Sequence, residues 1–543
     1  MTRAAVALAP AVMVVLAGCA VGPNYKRPST PVTPTFRGQD RAEAPSFADL
    51  PWWEVVRDPA LIALIEEALR GSYQIEDAVA RVEIAHQNAR ASTDALLPAV
   101  GVQASPAYQQ IFVGSLAGLS GVPGLPSGNV RYPSYLLAGT VSWEIDLWGG
   151  LRRLREASLA QFLASEENRR GVIVSLIGDV AQAYFNLQAL DFQLAIAHRT
   201  VQSRQETLTL FQQREQGGVG SALDTTSELA LLAGARATIP ALERQIVQAE
   251  DQLSYLVGRP PGPIRRSPDL NLRALPGDPP IGMPASLLER RPDVRQAEAQ
   301  MIAANAEIGA AFAAILPSLT FSGNVGVESS TLGQLFTGNA LTFLVSGIVN
   351  GPFPFLNGGQ NVRHWRSQEA TFVTTVVAYR RTVLIALQEV ADTVVAIRTY
   401  RQARAELEAQ VAAQADSVRL AKERFTGGAA SYLDVVQAEQ NLFPTELTLA
   451  QTIGSQWASL AQLYRALGGG WQVPPNTGTG EHPPPGGAAA NRSTSGALCK
   501  PGVEPAPRNT EHDRGPRSPE RPSGASPGTR VGAGPPLAES GHG

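Results

Sequence analysis

The sequence predicts a mainly helical fold that also carries a membrane β-barrel, and it predicts that this fold is built from two similar halves. A very long helical hairpin runs from Leu151 to Val257 and reverses at Gly217-Gly218, and a second copy follows about 210 residues later. Short stretches that alternate apolar and polar residues precede each hairpin. With 543 residues and 44% hydrophobic content, the chain has enough apolar material for a large folded unit.

The first arm of the hairpin is predicted by apolar residues that recur at steps of mostly three and four. These are Ile173, Ile177, Val180, Tyr184, Leu187, Leu190, Leu194, Ala197, Val201, Leu208 and Phe211. This period is typical of an amphipathic helix or a coiled-coil seam. No proline interrupts Leu151 to Gln216, so the arm extends on the order of 100 Å, far beyond an ordinary globular helix.

The second hairpin is an internal duplication of the first. A shift of 210 carries Arg214 onto Arg424. The same shift carries the turn residues Gly217, Gly218, Ser221, Leu223 and Asp224 onto Gly427, Gly428, Ser431, Leu433 and Asp434. It also carries the apolar positions Ile173, Ile177, Val180 and Leu187 onto Val383, Leu387, Val390 and Ile397. Core positions therefore coincide with core positions in the two halves.

Each half also begins with a shorter helix. The first is predicted from Pro59 to Leu97 with a break near Gly71, and its counterpart starts at Arg291-Pro292-Asp293 and ends at Leu316-Pro317. Proline suits the first helical position, and an acidic residue suits the helix N-terminus. The shift is 219 here rather than 210, and we expect a loop to absorb the difference.

Four short stretches predict β-strands with one apolar and one polar face. They are Val100 to Gln110, which Pro106 weakens, Gly139 to Leu147, Leu319 to Val327, and the mixed Thr342 to Phe353. Each has about the length of a tilted transmembrane strand. One such stretch would equally suit a small soluble sheet, but four of them paired within a duplication favour a barrel.

The chain starts with features of a bacterial lipoprotein. Residues 1–18 combine one basic residue, a short apolar run and small residues, as in a secretory signal peptide. Leu16-Ala17-Gly18-Cys19 resembles a lipobox, which implies acylation of Cys19, of the palmitate type, and Ala20 favours sorting to the outer membrane. We find no later run of about 20 apolar residues. The net charge of −3 gives no reason to expect nucleic acid as a partner.

These features predict six segments. A lipid-anchored extended segment covers residues 19–58, after the signal peptide. The first repeat covers residues 59–258, a proline-rich connector 259–284, and the second repeat 285–471. Residues 472–543 are rich in Pro, Gly, Ser and Arg and are predicted to be disordered.

The segment from Val21 to Pro28, Val-Gly-Pro-Asn-Tyr-Lys-Arg-Pro, closely resembles the one that follows the lipidated cysteine in the TolC-like outer-membrane efflux proteins. Pro51-Trp52-Trp53 and Asp58-Pro59-Ala60-Leu61 continue this resemblance to the lipoprotein branch that serves resistance-nodulation-division multidrug pumps. Four strands cannot close a barrel, whose smallest known form has about eight, so a dimer or a trimer must share one. Sequence alone does not choose.

The resemblance implies a trimeric α-barrel of long hairpins below a shared twelve-stranded β-barrel with four strands per chain. The segments Ile111 to Pro133 and Ser329 to Ala340 would be its outward-facing loops. Its implied partners are a periplasmic adaptor and a proton-driven inner-membrane pump. The implied location is the outer membrane, with a long periplasmic extension.

The resemblance also assigns roles to the hairpin turns, where Ser221-x-x-Asp224 and Ser431-x-x-Asp434 are helix-start signatures. Leu433 and Asp434 would form an apolar and an acidic ring of a periplasmic gate. Gln437 and Ala430 stand where the family has an acidic and a basic residue, which argues against a tight salt-bridged lock. The expected adaptor-docking tips comprise Gly217, Gly218, Ser221, Leu223, Asp224, Gly427, Gly428 and Ser431.

No constellation of residues predicts catalysis, and we expect neither a cofactor nor a metal site. The six histidines are widely separated, and no phosphate-binding loop or nucleophile elbow occurs in a suitable setting. The expected function is passive exit of drugs or other small solutes through a tripartite efflux system. A type I protein-secretion channel remains an alternative within the class. A non-conducting periplasmic coiled-coil lipoprotein scaffold is the alternative from another class.

Overall fold

The computed structural model describes residues 20–30, 35–37, 46, 49, 58–112, 129–267, 280–337, 340–351 and 359–469. The signal peptide, Cys19, Trp52 and Trp53, residues 268–279 of the connector and residues 470–543 lie outside these ranges. Within them, two repeats follow one another, each with a shorter helix, two strands and a long helical hairpin.

The first repeat opens with two helices, α1 (Pro59–Gly71) and α2 (Tyr73–Asp94). Asp58 caps α1, because its carboxylate accepts a hydrogen bond of 2.9 Å from the main-chain N–H of Ala60. Because α1 ends at Gly71 and α2 begins at Tyr73, the predicted break near Gly71 is present. Helix α2 ends at Asp94, three residues before the predicted end at Leu97. The counterpart of α2 in the second repeat is α6 (Pro292–Ala313), which follows a one-turn helix α5 (Leu287–Arg290).

Four strands form one antiparallel sheet in the order β1-β2-β3-β4. They are β1 (Ala99–Phe112), β2 (Asn129–Ile145), β3 (Ser318–Ser329) and β4 (Leu341–Asn350). Strands β2 and β3 pair across the two repeats, with Trp143 opposite Phe321. The duplication thus contributes two adjacent hairpins to a single sheet.

The register collects the apolar residues on one face of the sheet, as the alternation predicted. The apolar face contains Val100, Val102, Val141, Trp143, Phe321, Val325, Phe343 and Val345. All of these side chains are exposed in the single chain. The other face is more polar, although Leu344 and Ile348 of β4 also lie on it, and there the hydroxyl groups of Ser322 and Ser346 lie 2.8 Å apart in a hydrogen bond. One face suits lipid and the other an aqueous lumen.

The strands differ from the predicted ones at their ends. The expected loop from Ile111 to Pro133 is shorter, because β2 begins at Asn129 and Pro133 pairs with Tyr108. Proline fits there because the pairing with β3 starts only at Tyr135, so β2 has a neighbour on one side alone. At the other end, β2 stops at Ile145, two residues before the predicted Leu147.

The two long hairpins match each other closely. The first consists of α3 (Gly150–Gln216) and α4 (Ala222–Val257), and the second of α7 (Gln360–Thr426) and α8 (Tyr432–Ala466). Helices α3 and α7 each contain 67 residues, a length of about 100 Å. The shift of 219 at the shorter helices is absorbed partly by the strands, since β1 and β2 have 14 and 17 residues against 12 and 10 in β3 and β4.

The main core lies where all the helices of both repeats meet. Its fully buried side chains include Leu61, Ile65, Leu176, Tyr184, Leu187, Leu253, Val294, Met301, Tyr379, Val390 and Leu463. The matched positions of the two repeats, such as Val180 and Val390, both belong to this cluster. The structure therefore agrees with the shared core predicted from the duplication.

One described helix, α7, contains an 18-residue window apolar enough to span a membrane, with a mean hydropathy of 1.3. The expectation that no such stretch follows the leader is wrong by this criterion. The apolar side chains Val373, Val377, Leu384 and Ile385 of this helix are exposed in the single chain. Because α7 is more than twice the length of a membrane-spanning helix, this apolar surface is better explained as a helix-packing face.

Candidate functional site

The outer tip is the turn between α3 and α4. Gly218 adopts a φ of 74°, and the N–H of Val219 bonds back to the carbonyl oxygen of Arg214 over 2.9 Å. Ser221 then caps α4, because its hydroxyl oxygen accepts a hydrogen bond of 3.2 Å from the N–H of Leu223. Val219 and Leu223 are each 73% exposed. The tip thus presents two apolar side chains to its surroundings.

The inner tip repeats this geometry between α7 and α8. Gly428 has a φ of 75°, and the N–H of Ala429 bonds to the carbonyl oxygen of Arg424 over 2.8 Å. Ser431 occupies the N-cap position, but its side chain makes no capping hydrogen bond. The predicted Ser-x-x-Asp helix start is therefore present at both tips, and serine side-chain capping is present at Ser221 alone of the two.

The three predicted gate residues lie together on one exposed strip of α8. Leu433, which is 61% exposed, lies four residues before Gln437, and Asp434 lies three residues before it, so both side chains neighbour that of Gln437 on the helix surface. Tyr432 and Val436 lie on the opposite, buried face. Leu433 and Asp434 are thus available to face either a lumen or a second protein.

Three aromatic rings join the two tips behind this strip. The ring centroids of Phe211 and Tyr432 lie 4.2 Å apart, and those of Phe425 and Tyr432 lie 5.4 Å apart. The rings come from α3, α7 and α8, so they fix the outer and inner hairpins to each other one to two turns from the tips. The tip residues themselves remain exposed on both sides of this cluster.

Residues 20–30, which we call the anchor strap, pack against helices α3 and α6. The N–H of Val21 bonds to the carbonyl oxygen of Trp148 over 3.0 Å. The buried guanidinium of Arg153 donates hydrogen bonds to the carbonyl oxygen of Val21 and, over 2.9 Å, to the side chain of Asn24. An extended segment was predicted here, and the structure adds that its described residues are hydrogen-bonded to the helices.

The strap continues along α6. The amide of Asn305 donates a hydrogen bond of 2.9 Å to the carbonyl oxygen of Pro23. Further along, Tyr25 and Arg27 both bond to the carboxylate of Glu298. Gly22 has a φ of 97°, and a Cβ on it would overlap the Cα of Gly309. Glycine at position 22 is thus required both by the backbone and by the close approach.

Some residues with specific contacts were not found by sequence reasoning. Examples are Arg153 and Glu298, described above, and Glu228, whose carboxylate accepts a hydrogen bond from Tyr432, because each is an ordinary charged residue within a helix. A signal did exist for Glu228, which lies four residues before the buried Leu232 and seven before Ala235. A glutamate in an apolar stripe indicates a buried polar contact. Among the described residues, no group of three or more His, Cys, Asp or Glu side chains could hold a metal ion.

Comparison with known proteins agrees with this architecture. The sequence pattern of the outer membrane efflux protein family matches residues 64–259 and 283–469. The probable efflux pump outer membrane protein TtgC of Pseudomonas putida is 32% identical over 482 residues, which cover 87% of this chain and 96% of that protein. The outer membrane protein OprJ of Pseudomonas aeruginosa is 31% identical over 460 residues, covering 84% of this chain and 94% of OprJ.

A solved structure gives the same result for the fold. The open state of the Neisseria gonorrhoeae MtrE outer membrane channel superposes with a TM-score of 0.73 and 30% identity, covering 84% of this chain and 99% of MtrE. The predicted TolC-like fold class is confirmed by this match. The two segments matched by the family pattern make up well over half of the sequence, and the chain therefore belongs to the outer membrane efflux protein family.

Proposed function

We propose that three copies of the chain form the outer-membrane channel of a tripartite efflux system, through which drugs or other small solutes leave the cell passively. The observation that carries this proposal is the direct continuity between sheet and hairpins. Strand β2 ends at Ile145 and α3 begins at Gly150, so the wall of a barrel passes into the wall of a helical tunnel within a few residues.

The trimer is supported by strand number and by exposed apolar surface. Four strands per chain require several copies to close a barrel, and three copies supply twelve. The single chain exposes Val373 and Val377 on α7 and Leu159 and Leu163 on α3. Apolar stripes of this kind on long helices are covered by neighbouring helices in an assembly.

The lipid anchor on Cys19 is part of the proposal. Cys19 itself lies outside the described residues, but a Cβ on Gly149 would come within 2.6 Å of the Cα of Ala20. The strap therefore begins beside the junction of sheet and helices. An acyl group one residue further would enter the membrane next to the barrel. Incorporation of a labelled fatty acid, lost on Cys19→Ser, tests the anchor.

The partners are a periplasmic adaptor at the tips and a proton-driven inner-membrane pump. TtgC and OprJ, the relatives above, are named an efflux pump protein and an outer membrane protein. The exposed Leu223 at the outer tip and the exposed Leu433 and Asp434 at the inner tip support a docking surface and a gate, respectively. Transport needs no catalytic group in the channel, because the pump supplies the energy.

Cross-linking in intact cells, followed by pull-down from detergent-solubilised envelopes and mass spectrometry, tests the assembly. Recovery of an adaptor with a proton-driven pump supports the proposal. Recovery of an ATP-driven exporter instead would assign the chain to protein secretion. Recovery of neither, together with no conductance of the purified protein in a planar bilayer, would favour the non-conducting scaffold.

A further inference from the structure

A group of charged side chains, buried except for Lys422, joins all four helices of the two hairpins close to the tips. Glu228 of α4 is 0% exposed, and Arg204 of α3 is 5% exposed. The hydroxyl of Tyr432, the first residue of α8, donates a hydrogen bond to the carboxylate of Glu228. On the inner hairpin, Lys422 of α7 pairs with the buried Glu439 of α8 over 2.7 Å.

The hydrogen bonds of this group are incomplete. One carboxylate oxygen of Glu228, one of Glu439, and the Nε and Nη1 atoms of Arg204 are buried without a hydrogen-bond partner. Leaving such atoms unpaired costs free energy. Glu228 and Glu439 also repel each other when both are ionised. The arrangement therefore disfavours the ionised form of Glu228.

Burial raises the pKa of Glu228 above its ordinary value of 4.5, and the charge of Glu439 acts in the same direction. The hydrogen bond from Tyr432 and the positive charges of Arg204 and Lys422 oppose this effect but do not cancel it. A cavity of about 220 Å³ is lined in part by Arg204, Lys422 and Glu439, the charged neighbours of Glu228, and has room for water.

We propose that Glu228 is a positioning residue for the inner tip, whose protonation holds α8, with Leu433 and Asp434, in its place against α4. This inference rests on the proposed gate and adds pH regulation to it. When α4 and α8 separate, Glu228 meets water. The separated form then binds the proton less tightly than the form described here.

The sign of the effect follows from linkage. A carboxyl group with a raised pKa in the packed form stabilises that form fully below its ordinary pKa, and this stabilisation is lost as the pH rises through the raised value. Acidic medium therefore fixes the inner hairpin to the outer one, and neutral medium loosens it. The response falls in the range that begins near pH 4.5 and ends above the raised pKa.

The test measures the distance between the two helices by pulsed electron paramagnetic resonance. Spin labels at the exposed positions Thr226 on α4 and Gln440 on α8 report the separation in full-length protein in lipid nanodiscs, with labelled chains diluted by unlabelled ones. Between about pH 4.5 and pH 8 we expect the short-distance population to fall by about twofold or more. No such fall in the wild-type protein would overturn the inference.

Variants separate titration of Glu228 from packing. Glu228→Gln is neutral at every pH, so its distance distribution should not change with pH. Tyr432→Phe keeps the ring but removes the donor that favours the ionised form of Glu228, so its transition should move to higher pH.

The control is Glu243→Gln at an exposed position of α4, which should respond like the wild type. A pH response that persists in Glu228→Gln would overturn the assignment. The distances do not depend on conductance, so failure of the channel proposal would be recognised separately.

Discussion

The guanidinium of Arg291 donates a hydrogen bond of 2.8 Å to the main-chain carbonyl oxygen of Ala466. This bond links the N-terminal end of α6 to the last turn of α8. The same side chain pairs with Asp293 and with Glu389, each over 2.7 Å. A single buried cation thus joins the beginning and end of the second repeat to the long helix between them.

Replacing Arg291 by Ala should destabilise the protein by about 2–3 kcal/mol, since one buried carbonyl group and two carboxylates lose their partner. This loss is smaller than the about 3–5 kcal/mol of a fully buried pair, because both carboxylates are about 40% exposed. The midpoint of guanidinium unfolding, followed by circular dichroism, measures this change. Arg419→Ala, which removes only exposed ion pairs on α7, is the control and should leave the midpoint unchanged. Equal midpoints for both variants would contradict the role of Arg291.

The outer tip offers two adjacent glycines with different backbone conformations. Gly218 has a φ of 74°, whereas Gly217 has a φ of −76°. Alanine at position 218 should destabilise the turn by about 1 kcal/mol, because a side chain disfavours the left-handed region. Alanine at position 217 should cost much less. Hydrogen exchange of the amides around the tip, about fivefold faster in Gly218→Ala alone, is the measurement. Equal exchange in both variants would show that backbone strain does not limit the turn.

The anchor strap should detach when Gly22 becomes Ala, because the new Cβ overlaps Gly309 and φ is unfavourable. Steric overlap of this kind costs about 1–3 kcal/mol. Trypsin cleavage after Lys26 in folded protein should then be about tenfold faster. Ser29→Ala, at an exposed position of the strap, should be cleaved at the wild-type rate. A wild-type rate for Gly22→Ala would show that the strap is not held at this contact.

The large elements were predictable because they depend on periodicity. Two helices of 67 residues and four alternating strands repeat simple patterns over many residues, and the duplication tests each pattern twice. Strand ends were less predictable. Pro133, for example, can belong to β2 because β2 pairs there with β1 but not yet with β3. That condition is set by the register with β3, which lies almost 200 residues away along the chain.

The contacts of charged residues were not predictable either, because they also join residues that lie far apart along the chain. Arg153 binds the strap, and Glu228 binds Tyr432, across separations of about 130 and 204 residues. Neither pair has a fixed spacing that a pattern could show. The tip residues were found because the glycines and the serine-aspartate spacing are local. Their roles in gating and docking came from the family resemblance and stay predictions.

The inner and outer tips carry the same motif, which allows a matched test of the gate. Leu433 and Asp434 on α8 correspond to Leu223 and Asp224 on α4 through the shift of 210. In a planar bilayer, Leu433→Ala should raise the resting conductance, because it would remove the apolar ring of the proposed gate. Leu223→Ala should leave the conductance unchanged and lower the affinity for the adaptor instead.

The acidic ring gives a charge-dependent prediction. In the proposed gate, three symmetry-related Asp434 carboxylates would attract cations to the mouth, so Asp434→Ala should lower the preference for cations over anions, and Asp224→Ala should not. The effect should be largest in dilute salt and should shrink near 1 M, where the Debye length falls to about 3 Å. Reversal potentials in a salt gradient measure the preference. If the inner and outer variants behave alike, the exposed strip of α8 does not line the conduction path, and the gate must lie elsewhere in the tunnel.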